Sequence, residues 1–552
     1  MNLPEPHTLS FSTLISEIDK GIIKIPQFQR DFVWNKKRSC RLMDSIVKGY
    51  PIGTFIFWKT NERLRAIKNI GGIELPEASK GEFIQYVLDG QQRLTSLYAT
   101  LKGLGIQRDG IQEDFSEMYI DLEVEENDDV VIFNIENNDK SKLIKLNDLL
   151  FGSFQLLNDY PKEFHNKIDE YRKRIQSYNF SVILIKEASI DVATDIFTRI
   201  NVGGKPLSVF EIMVAKTFDS EKNFDLAEKY QELIENISEI DYETIADATV
   251  LQTVSTLLTK ECSKKQILNL KKQNFIDIWD EAEDSIVRAV EYFRNFYRIP
   301  VSQLLPYNAL VVPFAYFFYH HKDKPTGDKQ RYLQDFFWRS SLSGRYSSSL
   351  ESKLAQDIKR IDKILKDDLP RYDYAIDTSP EFIQNNGFFS ANKSYIKSIL
   401  CIYAYQQPKS FIDNSTVQIG NDWLKRANSK NYHHFFPKSY LEKNGEDYFY
   451  INHILNITIV DDFLNKKEIK TKPPAIYMKK FSKENPDIDK TMKTHLIDNL
   501  NKFGIWENDY DIFFEMRAEK VSQEIRKRII PQEIDSKGQE PIQDINEEDL
   551  ES

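Results

Sequence analysis

The sequence predicts an α+β protein of several domains, with a mixed N-terminal region, a helical middle and a small strand-and-helix region near the C-terminus. Three observations carry this. The chain has 552 residues, too many for one ordinary core by the rough rule of about 150 residues per domain. Apolar runs bounded by turn signals, which read as buried strands, gather before residue 215 and after residue 418. Between them the apolar positions recur at helical spacing, as in Phe275 to Phe296 and Leu350 to Leu365. The boundaries drawn from this are 1–215, 216–417 and 418–532, followed by an acidic tail, 533–552, expected to be disordered.

Composition narrows the class. Apolar residues make up 41% and charged residues 29%, the proportions of a soluble globular protein. Cys40, Cys262 and Cys401 lie far apart and make no metal or redox spacing. That fits a reducing compartment, and a cytoplasmic location is expected. The opening MNLPEPHTLSF has neither a basic nor an apolar leader region, so no signal peptide is expected. The most apolar run, Ala309 to Phe318, is too short to span a bilayer and reads as a core helix after Pro313, so no membrane partner is expected. A net charge of −11 excludes a wholly basic nucleic-acid coat and leaves local patches to make such contacts.

In chain order, KIPQFQRDFVW (Lys24 to Trp34) reads as a loop with a proline and alternating aromatics. A helix from Lys36 to Lys48 carries Leu42 and Ile46 on one side and stops at Gly49 and Pro51. TFIFW (Thr54 to Trp58) is a strand. Phe83 to Leu88 is another, broken by the turn signal Asp89-Gly90. A helix follows with Leu94, Leu97, Tyr98 and Leu101 on one face. Tyr119 to Glu123 and Val130 to Ile135 make a hairpin, and Phe180 to Ile185 is a further buried strand. In Ala193 to Ile212, Gly203-Gly204 and Pro206 separate two helices, the second opened by the Ser208/Glu211 capping box.

The strand-to-helix corner crowds Asp89, Gly90, Gln91, Gln92 and Arg93. Backbone N–H groups at a helix start attract phosphate, and Arg93 adds a planar donor fork. Asp89 is suited to hold a metal or orient a water. Spacing leaves a second reading open, a polar turn whose Arg pairs with its own Asp. The loop with Arg199, Asn201 and Lys205 is a candidate second half of an anion site, or an ordinary helix connection.

Near the C-terminus, NYHHFFPKSYL (Asn431 to Leu441) precedes INHILNITIVDDFLNKKEIKTKPP (Ile451 to Pro474). A strand from Ile454 to Val460 and a helix from Asp462 to Glu468 give a compact ββα arrangement around His433, His434, Asn456 and Asn465. Lys466, Lys467, Lys470 and Lys472 add a basic face for a phosphate backbone. Phosphodiester cleavage needs a base for water, which a histidine supplies near neutral pH. It also needs a cation for the crowded phosphorus and its leaving oxygen. A surface pair of histidines is the plain alternative. A helix from Asp511 to Arg528 closes this region.

PQFQRDFVW, LDGQQRLTSL and FTRINVGGKPLSVFE resemble the N-terminal domain of the GmrSD-type modification-dependent restriction enzymes, a domain related to the ParB/sulfiredoxin-like fold. HHFFPKSYL, NHILNITIV and FLNKKEIKTKPP resemble the HNH nuclease domain fused to it. The resemblance implies nucleotide hydrolysis at Asp89, Gly90, Gln91, Gln92 and Arg93, approached by Arg30 and Asn201. It makes His434 the general base, Asn456 the residue that orients it, and His433 and Asn465 the metal ligands. Lys466, Lys467, Lys470 and Lys472 would meet DNA. Two positions depart from the pattern. His433 stands where Asp or Glu is usual, which favours manganese or a softer ion over magnesium, and Leu455 stands where Gly is usual.

The expected function is a nucleotide-dependent DNA endonuclease of the type IV restriction class. It would cut phage DNA carrying modified cytosine, such as the glucosylated or hydroxymethylated base, with Mg or Mn and with GTP or ATP. Rival readings are a non-cutting, nucleotide-switched DNA-binding regulator and a defence RNase or toxin. The oligomeric state stays open, a homodimer among the options.

Overall fold

The computed structural model describes the chain outside residues 1–4, 27–31, 65, 68, 71–72, 77–80, 109–110, 125–127, 136–137, 201–207, 220, 421–431, 461–468, 470 and 542–552. The chain divides into two compact units, Met1–Leu226 and Ala227–Ser552. Arg30, Asn201, Asn465, Lys466, Lys467 and Lys470 lie outside the described residues, as does the helix expected from Asp462 to Glu468.

The first unit is built on a six-stranded mixed sheet. Its order is Glu5–Ser10, Asn179–Lys186, Phe55–Thr60, Ile84–Asp89, Ile23–Pro26 and Ala66–Ile67. Asn179–Lys186 runs parallel to Phe55–Thr60, which is antiparallel to Ile84–Asp89. The two central strands are apolar runs because both faces are covered: Phe55, Phe57, Val87 and Leu88 are buried. The helix Gln91–Lys102 buries Leu94, Leu97, Tyr98 and Leu101. Each such leucine contributes about 1.5–3 kcal/mol relative to exposure.

The helix Lys36–Val47 opens at Asn35, whose Oδ1 accepts from the Arg38 N–H (3.0 Å). Its buried Asp44 accepts from the N–H groups of Val130 and Val131 (2.8 and 3.1 Å) and pairs with Lys48 (2.7 Å). Asp44 therefore fastens this helix to the short strand Val131–Ile132. Cys40 is buried against the Val131 carbonyl, and burial pushes its thiol up to about 12, so it stays protonated and inert.

The second unit contains most of the helices. Aromatic rings fill its centre: Tyr297 stacks on Phe337 with centroids 4.1 Å apart, and Phe293 meets Phe314 at 4.7 Å. The run read as a core helix is Val311–His320, beginning before its proline. No described helix is long and apolar enough to cross a membrane. The helical middle and the C-terminal strands and helices belong to this one unit.

The expected disordered tail is corrected in its first part. Residues Glu533–Lys537 form a short helical turn. Asp535 accepts from Arg339 Nη1 and Nη2 (2.8 and 2.6 Å) and from the Ile376 N–H (3.0 Å). Gln539 donates to the Leu342 carbonyl (2.8 Å). Acidic composition hid this because the ordering force is one buried cation, Arg339, rather than an apolar stripe. The rest of the tail, 542–552, lies outside the described residues.

Candidate active site

In the first unit the chain turns from strand to helix at Gly90, which has φ +94° and gives the helix no side-chain cap. A side chain here would be strained by its backbone and would strike the Phe55 ring. Gly53, at φ +88°, leaves the space that the Arg93 guanidinium fills. Arg93 Nη1 donates to the Ile52 carbonyl (2.7 Å), and Nη2 donates to the Thr54 carbonyl (3.0 Å) and to Asp89 (3.2 Å). Its guanidinium also lies 5.1 Å from the Phe55 ring centroid. Arg93 thus clamps the loop before strand Phe55–Thr60 to the helix start, and its pairing with Asp89 is the alternative that spacing had left open.

Gln92 joins the corner to the PQFQRDFVW segment. Its Oε1 accepts from the Val33 N–H (2.8 Å), and its amide donates to Gln91 (3.2 Å). Gln91 and Gln92 are buried. Asp89 is the more open member of the corner: its side chain is 35% exposed, against 17% for Arg93. Phosphate contact at this corner would fall to the uncapped helix N–H groups and to the donors Arg93 still has.

In the second unit, strand Tyr432–His434 pairs antiparallel with Ile457–Ile459, placing His434 opposite Ile457 and His433 opposite Thr458. Successive strand residues face opposite sides. His433 is 2% exposed and faces the ring of Tyr477 at 6.3 Å between centroids. His434 is half-buried and meets Asn452.

The Asn452 amide nitrogen donates to the Tyr448 carbonyl (3.3 Å), which leaves Oδ1 to accept from His434 Nε2–H (3.1 Å). That assignment, taken from the hydrogen-bond network, leaves His434 Nδ1 as the proton acceptor. Burial pushes His434 below its usual pKa; the Asn452 bond opposes this, and Lys438 adds to it. The imidazole is therefore neutral at pH 7, the state a general base requires.

Asn456 is fully buried and uses its whole amide. Oδ1 accepts from the Phe436 N–H (2.9 Å), while Nδ2 donates to the Phe436 and Ile451 carbonyls (both 3.1 Å). It fixes the turn after His434 through the backbone and does not touch the ring. Asn452 does, and sequence reading missed it. Its only signal is its place in the NHILN segment.

His453 plays a different part. Its Nδ1 accepts from the Leu455 N–H (3.1 Å), and its Nε2 donates to the Gln384 carbonyl (3.1 Å). Burial holds it down to about 3, so it is a neutral structural group. Beneath strand Ile457–Ile459, buried Arg517 donates to the Ile457 carbonyl (3.1 Å) and stacks 4.9 Å from the Tyr403 centroid.

The described residues contain no group of three His, Cys, Asp or Glu able to hold a metal ion. They do not by themselves close a ligand set around His434. Lys472 is exposed.

Two comparisons bear on this arrangement. The chain is 24% identical to the uncharacterized protein MJ0686 of Methanocaldococcus jannaschii, over 95% of this chain and 99% of that one. Residues 11–218, which carry the Asp89–Arg93 corner, match the family model described as the N-terminal domain of GmrSD restriction endonuclease.

Proposed function

We propose that this protein is a nucleotide-dependent DNA endonuclease of the type IV restriction class, cutting phage DNA with modified cytosine. The observation that carries the proposal is the match of residues 11–218 to a restriction endonuclease domain. The neutral, oriented imidazole of His434 supports the cutting half of the reading. In this reading the first unit is ParB/sulfiredoxin-like and hydrolyses GTP or ATP at the Asp89–Arg93 corner, with Arg30 and Asn201 approaching. The C-terminal region is an HNH nuclease. His434 Nδ1 takes the proton of the attacking water, Asn452 holds the ring, and Asn456 holds the turn. A divalent ion, Mg or Mn, would be held by His433 and Asn465 and would stabilise the leaving oxygen. Lys466, Lys467, Lys470 and Lys472 would meet the DNA backbone.

The test is cleavage of DNAs that differ only in cytosine modification, with and without each nucleoside triphosphate and with each divalent ion. The expected result is cutting of the modified DNA alone, changed by nucleotide and stopped by excess chelator. Equal cutting of modified and plain DNA would remove the restriction class. Cutting of tRNA alone would favour a defence RNase.

A further inference from the structure

The helix Lys36–Val47 is charged against its own dipole. Its first turn carries Lys36, Lys37 and Arg38 and no acid. A helix N-terminus already bears partial positive charge, so each cation there is unfavourable. Arg41 follows Arg38 at i+3 and Lys37 at i+4. Like charges at those spacings repel and destabilise the helix. The one acid of the helix, Asp44, is turned inward to the Val130 and Val131 N–H groups and Lys48. Among the described residues no carboxylate lies within ion-pair distance of Lys37, Arg38 or Arg41, and all three are exposed.

These cations line an open cleft of about 630 Å³ with Trp34, Ile52 and Arg93, and none of the described residues that line it is acidic. The Arg38 guanidinium lies 4.4 Å from the centroid of the half-buried Trp34 ring. A row of exposed, unpaired cations beside an aromatic wall is the arrangement that tracks a nucleic-acid backbone. We propose that this face of the N-terminal unit binds the phosphate backbone of DNA through Lys37, Arg38 and Arg41, with Trp34 as the wall of the groove. It gives this unit its own hold on DNA, in addition to the lysines between 466 and 472 of the proposed nuclease. The inference rests on the reading of DNA as substrate.

The experiment measures binding of a fluorescein-labelled duplex to full-length His434→Ala protein, by anisotropy across a salt series. The comparison is the same protein carrying Arg38→Ala and Arg41→Ala. Loss of two phosphate contacts should lower the slope of log K against log salt by about 1.8, at about 0.9 per contact, and weaken binding about tenfold or more. A companion with Arg38→Lys and Arg41→Lys keeps the charge and should keep the slope. Equal slopes in parent and Ala variant would overturn the inference while leaving DNA as substrate. No DNA binding by the parent would overturn both. Loss of binding to a fluorescent nucleoside triphosphate in the Ala variant, with duplex binding unchanged, would make the cleft a site for free nucleotide and overturn the inference.

Discussion

His434 stays neutral because burial outweighs the Asn452 hydrogen bond. In the proposed reaction His434→Ala removes the base and should slow cleavage about 10²–10⁴-fold. Asn452 offers a sharper test. Asn452→Asp puts a carboxylate against Nε2–H, which favours the imidazolium and raises the His434 pKa. The acid limb of the cleavage–pH profile should therefore move to higher pH, with binding of DNA unchanged. A limb that stays in place would mean that His434 is not the titrating base. Asn456 was legible in the sequence as a candidate because its position matched a pattern. Asn452 was not, because a single amide four residues earlier carries no sign of which ring it meets until the strands pair.

At the scale of elements, the corner at Gly90 depends on one guanidinium reaching three acceptors on two segments. Arg93→Lys keeps the charge but loses the planar fork, so at least one partly buried carbonyl goes unpaired, at about 1–3 kcal/mol. A lower melting temperature, with nucleotide hydrolysis falling alongside it, is the expected outcome. Hydrolysis lost from a protein of unchanged melting temperature would instead give Arg93 a direct phosphate role.

The elements around this corner were readable where the hydrophobic period was long. The helices Lys36–Val47, Gln91–Lys102, Lys272–Asn295 and Leu350–Ile364 lie within a few residues of their expected bounds. The edge strand Glu5–Ser10 was not readable, because EPHTLS alternates too weakly; it is held to Asn179–Lys186 by backbone register and by the Glu5–Lys186 ion pair (2.6 Å). Ile454 to Val460, read as one strand, is split: Ile454–Asn456 is a 3₁₀ turn, held by the amide of Asn456.

Across the whole chain, the proposed chemistries belong to different units, so His434→Ala should leave nucleotide hydrolysis intact. The second unit also carries a long-range closure that composition concealed. Arg339 is fully buried between Asp335 and Asp535 and donates to the Ile530 carbonyl. Asp535→Asn leaves that cation short of one charge partner, and losing one partner of a buried pair costs about 3 kcal/mol. Thermal unfolding should show the loss, and an unchanged midpoint would return the Asp535 segment to the status of a passive tail.

That closure has a consequence in time. The two residues of the Arg339–Asp535 pair are 196 positions apart. A ribosome adding about 5–20 residues per second needs about 10–40 s to travel from one to the other. Throughout that interval Arg339 has only Asp335 of its two carboxylate partners, and the strand bearing His434 is made before the clasp that completes the unit. A chain cut short by stalled translation would carry His434 in a body lacking its last fastening. The proposed DNA cutter would thus reach full stability only after Asp535 is made.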